Sequence, residues 1–284
     1  AAVDEASPAA GRGDRDGSGV FQNGRRAHKE MTDSNMMLKE KTFWLDTAQA
    51  PSIDSRPLPA RVDVAVIGGG YTGLAAARAL ARRGVKVAVL EAETMGWGAS
   101  SRNGGMVLTG LKLGVDTLIA QYGRDLARRM FSASLASIDC VEQIVKEENI
   151  ECDFARCGHL ETAYKPAHFH GYAQAAETLE REFNHRVHLV PKNELRSEVG
   201  SDQYHGGLVD EVSAGVNPAR YVFGLARAAA RAGAELHEHT RVERVERAGA
   251  TFKVTTPRGS LEAEHVFAAS GGHTGRATPQ LQRR

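Results

Sequence analysis

The chain has 284 residues with 36 Lys and Arg against 35 Asp and Glu, a net charge of +1. That length supports one large or two small domains, and the balanced charge gives no electrostatic case for nucleic acid. No window is long and apolar enough to read as a transmembrane segment, and an odd set of cysteines (Cys140, Cys152, Cys157) reads as reduced thiols in a cytoplasm, core or incidental in role and not metal ligands.

Residues 1–30 are rich in Gly, Ala, Arg and Asp without periodicity and read as disordered. They lack the apolar core of a signal peptide, and their acids make a poor mitochondrial presequence, so Met31 is the expected start. Phe43-Trp44-Leu45, followed by Pro51, Pro57 and Pro59, reads as an extended lead-in that docks two aromatics. Residues 1–60 are therefore leader and lead-in, and the folded part begins near Arg61.

From there the elements are closely spaced. Val62–Ile67 is a nearly continuous apolar run, as a buried parallel strand would be. Gly68-x-Gly70-x-x-Gly73 follows, then an alanine-rich helix over Leu74–Arg83 that Gly84 stops, then a second buried strand, Val85–Leu90, ending on Glu91. Gly68 permits a sharp turn, Gly70 leaves room for a pyrophosphate, and Gly73 lets helix and strand pack closely; the helix N-terminus offers free N–H groups to phosphates. Glu91, 18 positions after Gly73, stands where a carboxylate accepts ribose hydroxyls. This context favours a dinucleotide-binding unit over a purely structural glycine turn, and the fingerprint alone does not separate FAD from NAD. Gly96-Trp97-Gly98-Ala99-Ser100-Ser101-Arg102-Asn103-Gly104-Gly105 is too rich in glycine and small polar residues for helix or strand. It fits a surface loop or a second arm folding over the cofactor.

Met106–Leu113 reads as irregular or short strand, Gly114–Tyr122 as a short helix, and Arg124–Asn149 as a long one with an apolar stripe of Leu126, Met130, Ala133, Ile138, Val141 and Val145. Cys152–Tyr164 reads as strands around a Gly158 turn. Pro166–Phe183 is helical, with Glu177, Glu180, Arg181 and Glu182 as a solvated face. Lys192–Val199 is a short helix, and Gly206–Val209 begins a strand. Asn217-Pro218 caps a helix that runs to Arg231. Ala234–His239 is a strand on which His237 and His239 share a face; without a third ligand this reads as a partly exposed strand, not a metal site. Thr240–Arg247, Thr251–Thr256 and Ser260–His265 form a meander, and Val266–Ala269 is a buried strand ending at Ser270-Gly271-Gly272.

GGGYTGLAAARAL, LEAETMGWGASSRNGG and ECDFARCGHLE resemble the D-amino-acid oxidase/glycine oxidase superfamily of FAD-dependent oxidoreductases, and within it look most like the γ-glutamylputrescine oxidase branch, over about Phe43–Arg284. The resemblance implies an α/β fold: a Rossmann-like FAD-binding domain with a parallel sheet, plus part of a substrate domain with an antiparallel sheet. Residues 61–149 and 211–275 would be two parts of the FAD-binding domain, and 150–210 part of the substrate domain. It implies that Gly68, Gly70, Tyr71, Thr72 and Gly73 hold the pyrophosphate, Glu91 the ribose and Ala92 the adenosine end. Ala99, Ser100, Ser101, Arg102, Asn103, Gly104 and Gly105 would approach the pyrophosphate and isoalloxazine. Val242 would lay its backbone against the adenine, and the small residues Ala268–Gly272, with Ala269 and Gly271 among them, would let the sheet edge approach the cofactor. Gly271-Gly272-His273 departs from the polar-Gly-Tyr sequence often found there. Ser101 and Arg102 stand where some relatives carry a flavin-linked histidine, which implies non-covalent FAD. Arg102 would either stabilise negative charge on reduced flavin or form a surface ion pair. The family's polypeptide continues well past the position of Arg284, so a truncated chain, with 276–284 as its end, is the expectation.

The implied activity is oxidation of a primary or secondary amine by hydride transfer to flavin, with oxygen as acceptor. An NAD-linked dehydrogenase and a non-catalytic nucleotide-binding fragment are the alternatives. No catalytic side chain is assigned.

Overall fold

The computed structural model describes residues 40–273, and the elements below lie in the compact unit Thr42–Arg284. The expectations for residues 1–30, for Met31 and for residues 276–284 fall outside the described residues. The lead-in opens on a helical turn, α1 (Phe43–Asp46), where extended chain was expected. One aromatic docks, not two: Trp44 packs against the core while Phe43 is 68% exposed.

β1 (Arg61–Ile67), α2 (Tyr71–Ala81) and β2 (Val87–Leu90) form the expected strand–helix–strand unit. The helix starts three residues before the expected Leu74. Gly70 is extended and its carbonyl accepts the Leu74 N–H at 2.9 Å, so Gly73 lies inside the first turn. The central sheet has the order β8-β2-β1-β11-β10-β9. β8 (Glu235–His237), β2, β1 and β11 (Gly259–Ala268) are parallel, while β10 (Thr251–Thr256) and β9 (Arg244–Ala248) extend one edge antiparallel.

Two expected strands, Ser260–His265 and Val266–Ala269, are one. β11 pairs with β10 as far as Ala263 and with β1 as far as Ala268. The change of pattern near His265 is a change of neighbours and not a chain break. At the other edge the strand stops at His237, and His239 takes φ 50°. The alternation is lost there, so the two histidines do not share a strand face. Among the described residues no cluster of three metal-ligating side chains occurs.

β1 and β2 are buried on both faces, which is why they read as continuous apolar runs. On one face Val64, Val66 and Val89 pack against Leu74 and Ala77 of α2 and against Val222, Leu225 and Ala226 of α6 (Pro218–Arg231). On the other, Ala65, Ala88 and Leu90 meet Val254, Leu261 and Ala263. Asn217 caps α6 as its sequence predicts, its side chain accepting the Arg220 N–H at 3.1 Å.

A separate antiparallel sheet has the order β4-β6-β5, from β4 (His159–Thr162), β5 (His188–Pro191) and β6 (Gly206–Asp210). β3 (Met106–Val107) pairs with β7 (Ala214–Gly215). Before β4, the expected strand over Cys152–Gly158 reduces to one bridge, Ala155 with Gly215. The helix expected over Lys192–Val199 is a 3-10 turn at Leu195–Ser197. α3 (Val115–Tyr122), α4 (Arg124–Glu148) and α5 (Pro166–Phe183) pack together.

The expected stripe of α4 holds in its second half, where Ile138 is buried and Val141 and Val145 pack on the core; in the first half the buried face is Ala127, Phe131 and Ser134, and Leu126 and Ala133 are exposed. On α5, Glu182 is buried and not solvated, because Arg124, Arg128 and Arg181 converge on it. α2 and α4 are joined by ions. Buried Arg78 meets Glu147 at 2.6 Å and Glu148 at 2.7 Å, and Arg231 of α6 meets Glu148 at 2.8 Å.

Candidate cofactor site

A cleft of about 1130 Å³ opens at the carboxyl ends of β1, β2 and β11, the place where open α/β sheets bind nucleotides. Gly68, Gly70, Tyr71, Thr72, Glu91, Ala92, Ala99, Ser100, Val242, Ala269 and Gly271 line it. Gly73, Ser101, Arg102, Asn103, Gly104 and Gly105 do not; Gly73 packs α2 on β1, and the other five continue the arm beyond Ala99 and Ser100.

The glycine turn sets the floor. A Cβ on Gly73 would lie 2.0 Å from the Gly68 carbonyl oxygen, so helix and strand touch backbone to backbone there. A Cβ on Gly70 would point at Ser100 Oγ, 2.8 Å away, at the cleft wall. That hydroxyl accepts the Tyr71 N–H at 3.1 Å and thereby ties the arm to the helix start. No side chain caps α2, and among the described residues the amides of Gly70 and Thr72 donate to no protein acceptor. Free N–H groups at the positive end of a helix are a site for phosphate oxygens.

Glu91 is fixed before any ligand arrives. Its Oε2 accepts the Gly69 N–H at 2.7 Å and its Oε1 the Glu93 N–H at 3.0 Å. Its backbone is held by the His237 carbonyl and the Thr240 N–H, at 2.9 and 2.7 Å. An ionised carboxylate has about four acceptor sites, so lone pairs remain for ribose hydroxyls.

The arm 96–105 centres on a 3-10 turn, Ala99–Ser101, and its hub is Asn103. Asn103 Nδ2 donates to the carbonyls of Ala99 and Ser100, each at 3.2 Å, and reaches the Tyr71 hydroxyl at 3.4 Å; Asn103 Oδ1 accepts the Gly105 N–H at 2.8 Å. The Tyr71 hydroxyl in turn donates to the Pro218 carbonyl at 3.0 Å. Burial pushes its pKa up to about 12, against the Asn103 hydrogen bond, so it stays a donor. Ser101 is fully buried, and its Oγ has no protein partner among the described residues.

Among the described residues Arg102 forms no ion pair, and its contacts stay within the arm. Its guanidinium lies 4.6 Å from the Trp97 ring centroid and donates to the Trp97 carbonyl, a cation–π stack at the rim. Gly105 packs against α6, where a Cβ would lie 2.2 Å from the Val216 carbonyl oxygen.

Trp97 of the arm and His273, both in segments the sequence assigns to the cofactor, line the cleft and meet edge-on at 6.2 Å. Lining residues the sequence did not reveal include Lys253 and Thr255 of β10 and Arg244 of β9. The period-2 alternation of Thr251–Thr256 carried a signal, since Val254 is buried on the opposite face, but which face met a cleft depended on the partner strands.

The donor set fits an adenine dinucleotide carrying a diphosphate: open amides at Gly70 and Thr72, a pinned carboxylate at Glu91, and Ala92 and Val242 beyond it. Residues 63–284 match the family profile described as DAO, FAD dependent oxidoreductase. A probable oxidoreductase OrdL of Rhizobium meliloti (strain 1021) is 33% identical over 232 residues, which is 81% of this chain and 54% of the relative. Gamma-glutamylputrescine oxidoreductase of Escherichia coli (strain K12) is 33% identical over 223 residues, 78% of this chain and 52% of the relative. Among solved structures, glycine oxidase from Geobacillus kaustophilus superposes with a TM-score of 0.64 at 26% identity, covering 79% of this chain and 59% of that one. The chain spans about half the length of the curated relatives it matches.

Proposed function

The chain belongs to the DAO family of FAD-dependent oxidoreductases, and on that premise we propose that its cleft holds FAD non-covalently for the oxidation of a primary or secondary amine, either an amino acid or a γ-glutamylputrescine-like compound, with oxygen as acceptor. The observation that carries this reading is the pairing, on one cleft wall, of the uncapped α2 N-terminus with the pinned Glu91 carboxylate. The relatives' names supply the substrate class.

In this reading the amides of Gly70 and Thr72 hold the diphosphate, Glu91 orients the ribose, and Val242 and Ala92 border the adenosine end. Ala99 and Ser100 close the wall, and the arm 96–105 contains no histidine or cysteine for a covalent link. Bound there, FAD supplies a two-electron acceptor for the hydride on the carbon bearing the amine, and water hydrolyses the imine product to an aldehyde or keto acid. The segments 61–149 and 211–275 form the cofactor side of this reading and 150–210, with its antiparallel sheet, the substrate side. Three unpaired cysteines suit a reducing compartment, so the reading places the reaction in the cytoplasm. No helix among the described residues is long and apolar enough to cross a membrane.

The test is to load the purified chain with FAD and add amines and amino acids without oxygen. Bleaching of the flavin band by one class, and peroxide on admitting air, is the expected result. A flavin-loaded chain that no amine or amino acid bleaches would refute amine oxidation. Bleaching without peroxide would remove oxygen as the acceptor.

A further inference from the structure

The lead-in reaches the cofactor wall from a distance in sequence. The Trp44 Nε1–H donates to the Asn103 carbonyl at 2.8 Å, across 59 positions. Three residues on, Thr47 is tied to the start of α6: its Oγ1 accepts the Asn217 Nδ2–H at 3.3 Å and its carbonyl the Arg220 Nε–H at 3.1 Å. Thr47 Oγ1 also donates to the Trp44 carbonyl at 3.2 Å, closing the turn. Tyr71 stands between the two attachment points, since its hydroxyl meets Asn103 on one side and Pro218 on the other. The contacts close a ring: Trp44, Asn103, Tyr71, Pro218 with its neighbour Asn217, Thr47, and back to Trp44. One member, Tyr71, lines the cleft, and Asn103 holds the Ala99–Ser100 turn that also lines it.

We propose that residues 42–49 are a strap that positions the cofactor wall, with Trp44 and Thr47 as positioning residues that act through Asn103 and the α6 N-terminus. This rests on the reading of the cleft as an FAD site. The strap touches the wall and not the cleft, so its effect is to hold the arm in the binding geometry before the ligand arrives. A ligand that needs this geometry binds less tightly when the arm is released, by the fraction of time the arm spends elsewhere. By the same linkage, ligand binding slows opening of the strap.

The experiment uses the full chain and its Trp44→Phe variant, which keeps an aromatic ring and removes the N–H. FAD affinity is read by flavin fluorescence, and hydrogen exchange is followed at the backbone amides of 42–49 and 99–105 with and without FAD. The expected result is FAD binding weakened roughly 3–10-fold, as loss of one net hydrogen bond gives. Faster exchange at 99–105 in the ligand-free variant, and slower exchange at 42–49 when the wild type binds FAD, complete the expectation. Unchanged affinity, or weaker affinity with unchanged exchange at 99–105, would overturn the strap. If the wild type takes up no FAD, the cofactor reading fails, and exchange at 99–105 still decides whether the strap holds the arm. Thr47→Ala, which removes only the hydroxyl, gives the same comparison should Trp44→Phe not fold.

Discussion

Two glycines at the start of α2, Gly70 and Gly73, should fail in different ways, and the difference follows from what a methyl would meet. At Gly73 the methyl carbon would lie 2.0 Å from a backbone oxygen and 3.2 Å from Val66 Cγ1. Neither neighbour is a flexible tip, so α2 must lift away from β1. Overpacking of this kind costs about 1–3 kcal/mol and occasionally more, while the better helix propensity of alanine returns up to about 1 kcal/mol. The 2.0 Å backbone contact puts Gly73→Ala at the top of that range, so a net loss of about 2 kcal/mol is expected. At Gly70 the backbone has φ −91° and ψ −171°, which any residue adopts. The contact there is Ser100 Oγ at 2.8 Å, a hydroxyl that can rotate at the expense of its bond from the Tyr71 N–H, worth about 1 kcal/mol. Gly70→Ala should therefore stay within about 1 kcal/mol of wild type in stability yet place a methyl where the diphosphate must approach, weakening FAD at least about tenfold, or about 1.4 kcal/mol. Urea unfolding of the ligand-free chains reads the first quantity and flavin fluorescence titration the second. Gly73→Ala within 1 kcal/mol of wild type, or Gly70→Ala binding FAD as wild type does, would refute the reasoning.

Further outcomes follow from the ion network and the buried imidazole. Arg78→Met should destabilise the ligand-free chain by about 1.5–3 kcal/mol, as loss of hydrogen bonds to a charged group gives, because it leaves Glu148, whose side chain is only 15% exposed, with Arg231 as its remaining partner; a chemical-denaturation difference below 1 kcal/mol would contradict it. In the wild type, hydrogen bonds from Arg82, Gln143 and Arg78 hold Glu147 down from 4.5 to about 2. Burial pushes Glu148 up, and hydrogen bonds from Arg78 and Arg231 outweigh it. Both folded values lie below the unfolded ones, so this contribution is complete above about pH 4.5 and is lost as pH falls toward about 2. Acid unfolding of Arg78→Met should begin at higher pH. Burial also pushes the His237 imidazole below its usual 6.5, against the pull of Glu235. The unfolded chain takes the proton first, so stability falls as pH drops through 6.5, and His237→Phe should flatten that part of the melting-temperature profile; an unchanged slope would show that other groups set it.

The local parts of the fold were legible in the sequence, and the parts fixed by distant neighbours were not. Val62–Ile67, the glycine turn and Glu91 carry their roles in short-range spacing, and Asn217-Pro218 announces its helix by capping chemistry alone. The α4 stripe holds at Ile138, Val141 and Val145 and is off by one in its first half, where Ala127, Phe131 and Ser134, rather than Leu126 and Ala133, are buried. Glu182 looked solvated since nothing in its own helix shows that Arg124 and Arg128 of another helix would meet it. His239 left its strand through a single positive φ. Of the site, Gly68, Gly70 and Glu91 reach the cleft while Gly73 lies between helix and strand, Arg102 turns to Trp97, and the hub role of Asn103 depends on Trp44 and Tyr71, which only folding brings near it.

The central claim, that this cleft is an FAD site with Glu91 as its ribose anchor, is tested most directly by titrating the purified chain and Glu91→Ala with FAD and, in parallel, with NAD. The expected result is saturable FAD binding with no competing NAD uptake, and a loss in Glu91→Ala of about 1–3 kcal/mol, as removal of charge-assisted hydrogen bonds gives. A chain that takes up no FAD, or a Glu91→Ala variant that binds FAD as tightly as the wild type, would contradict it.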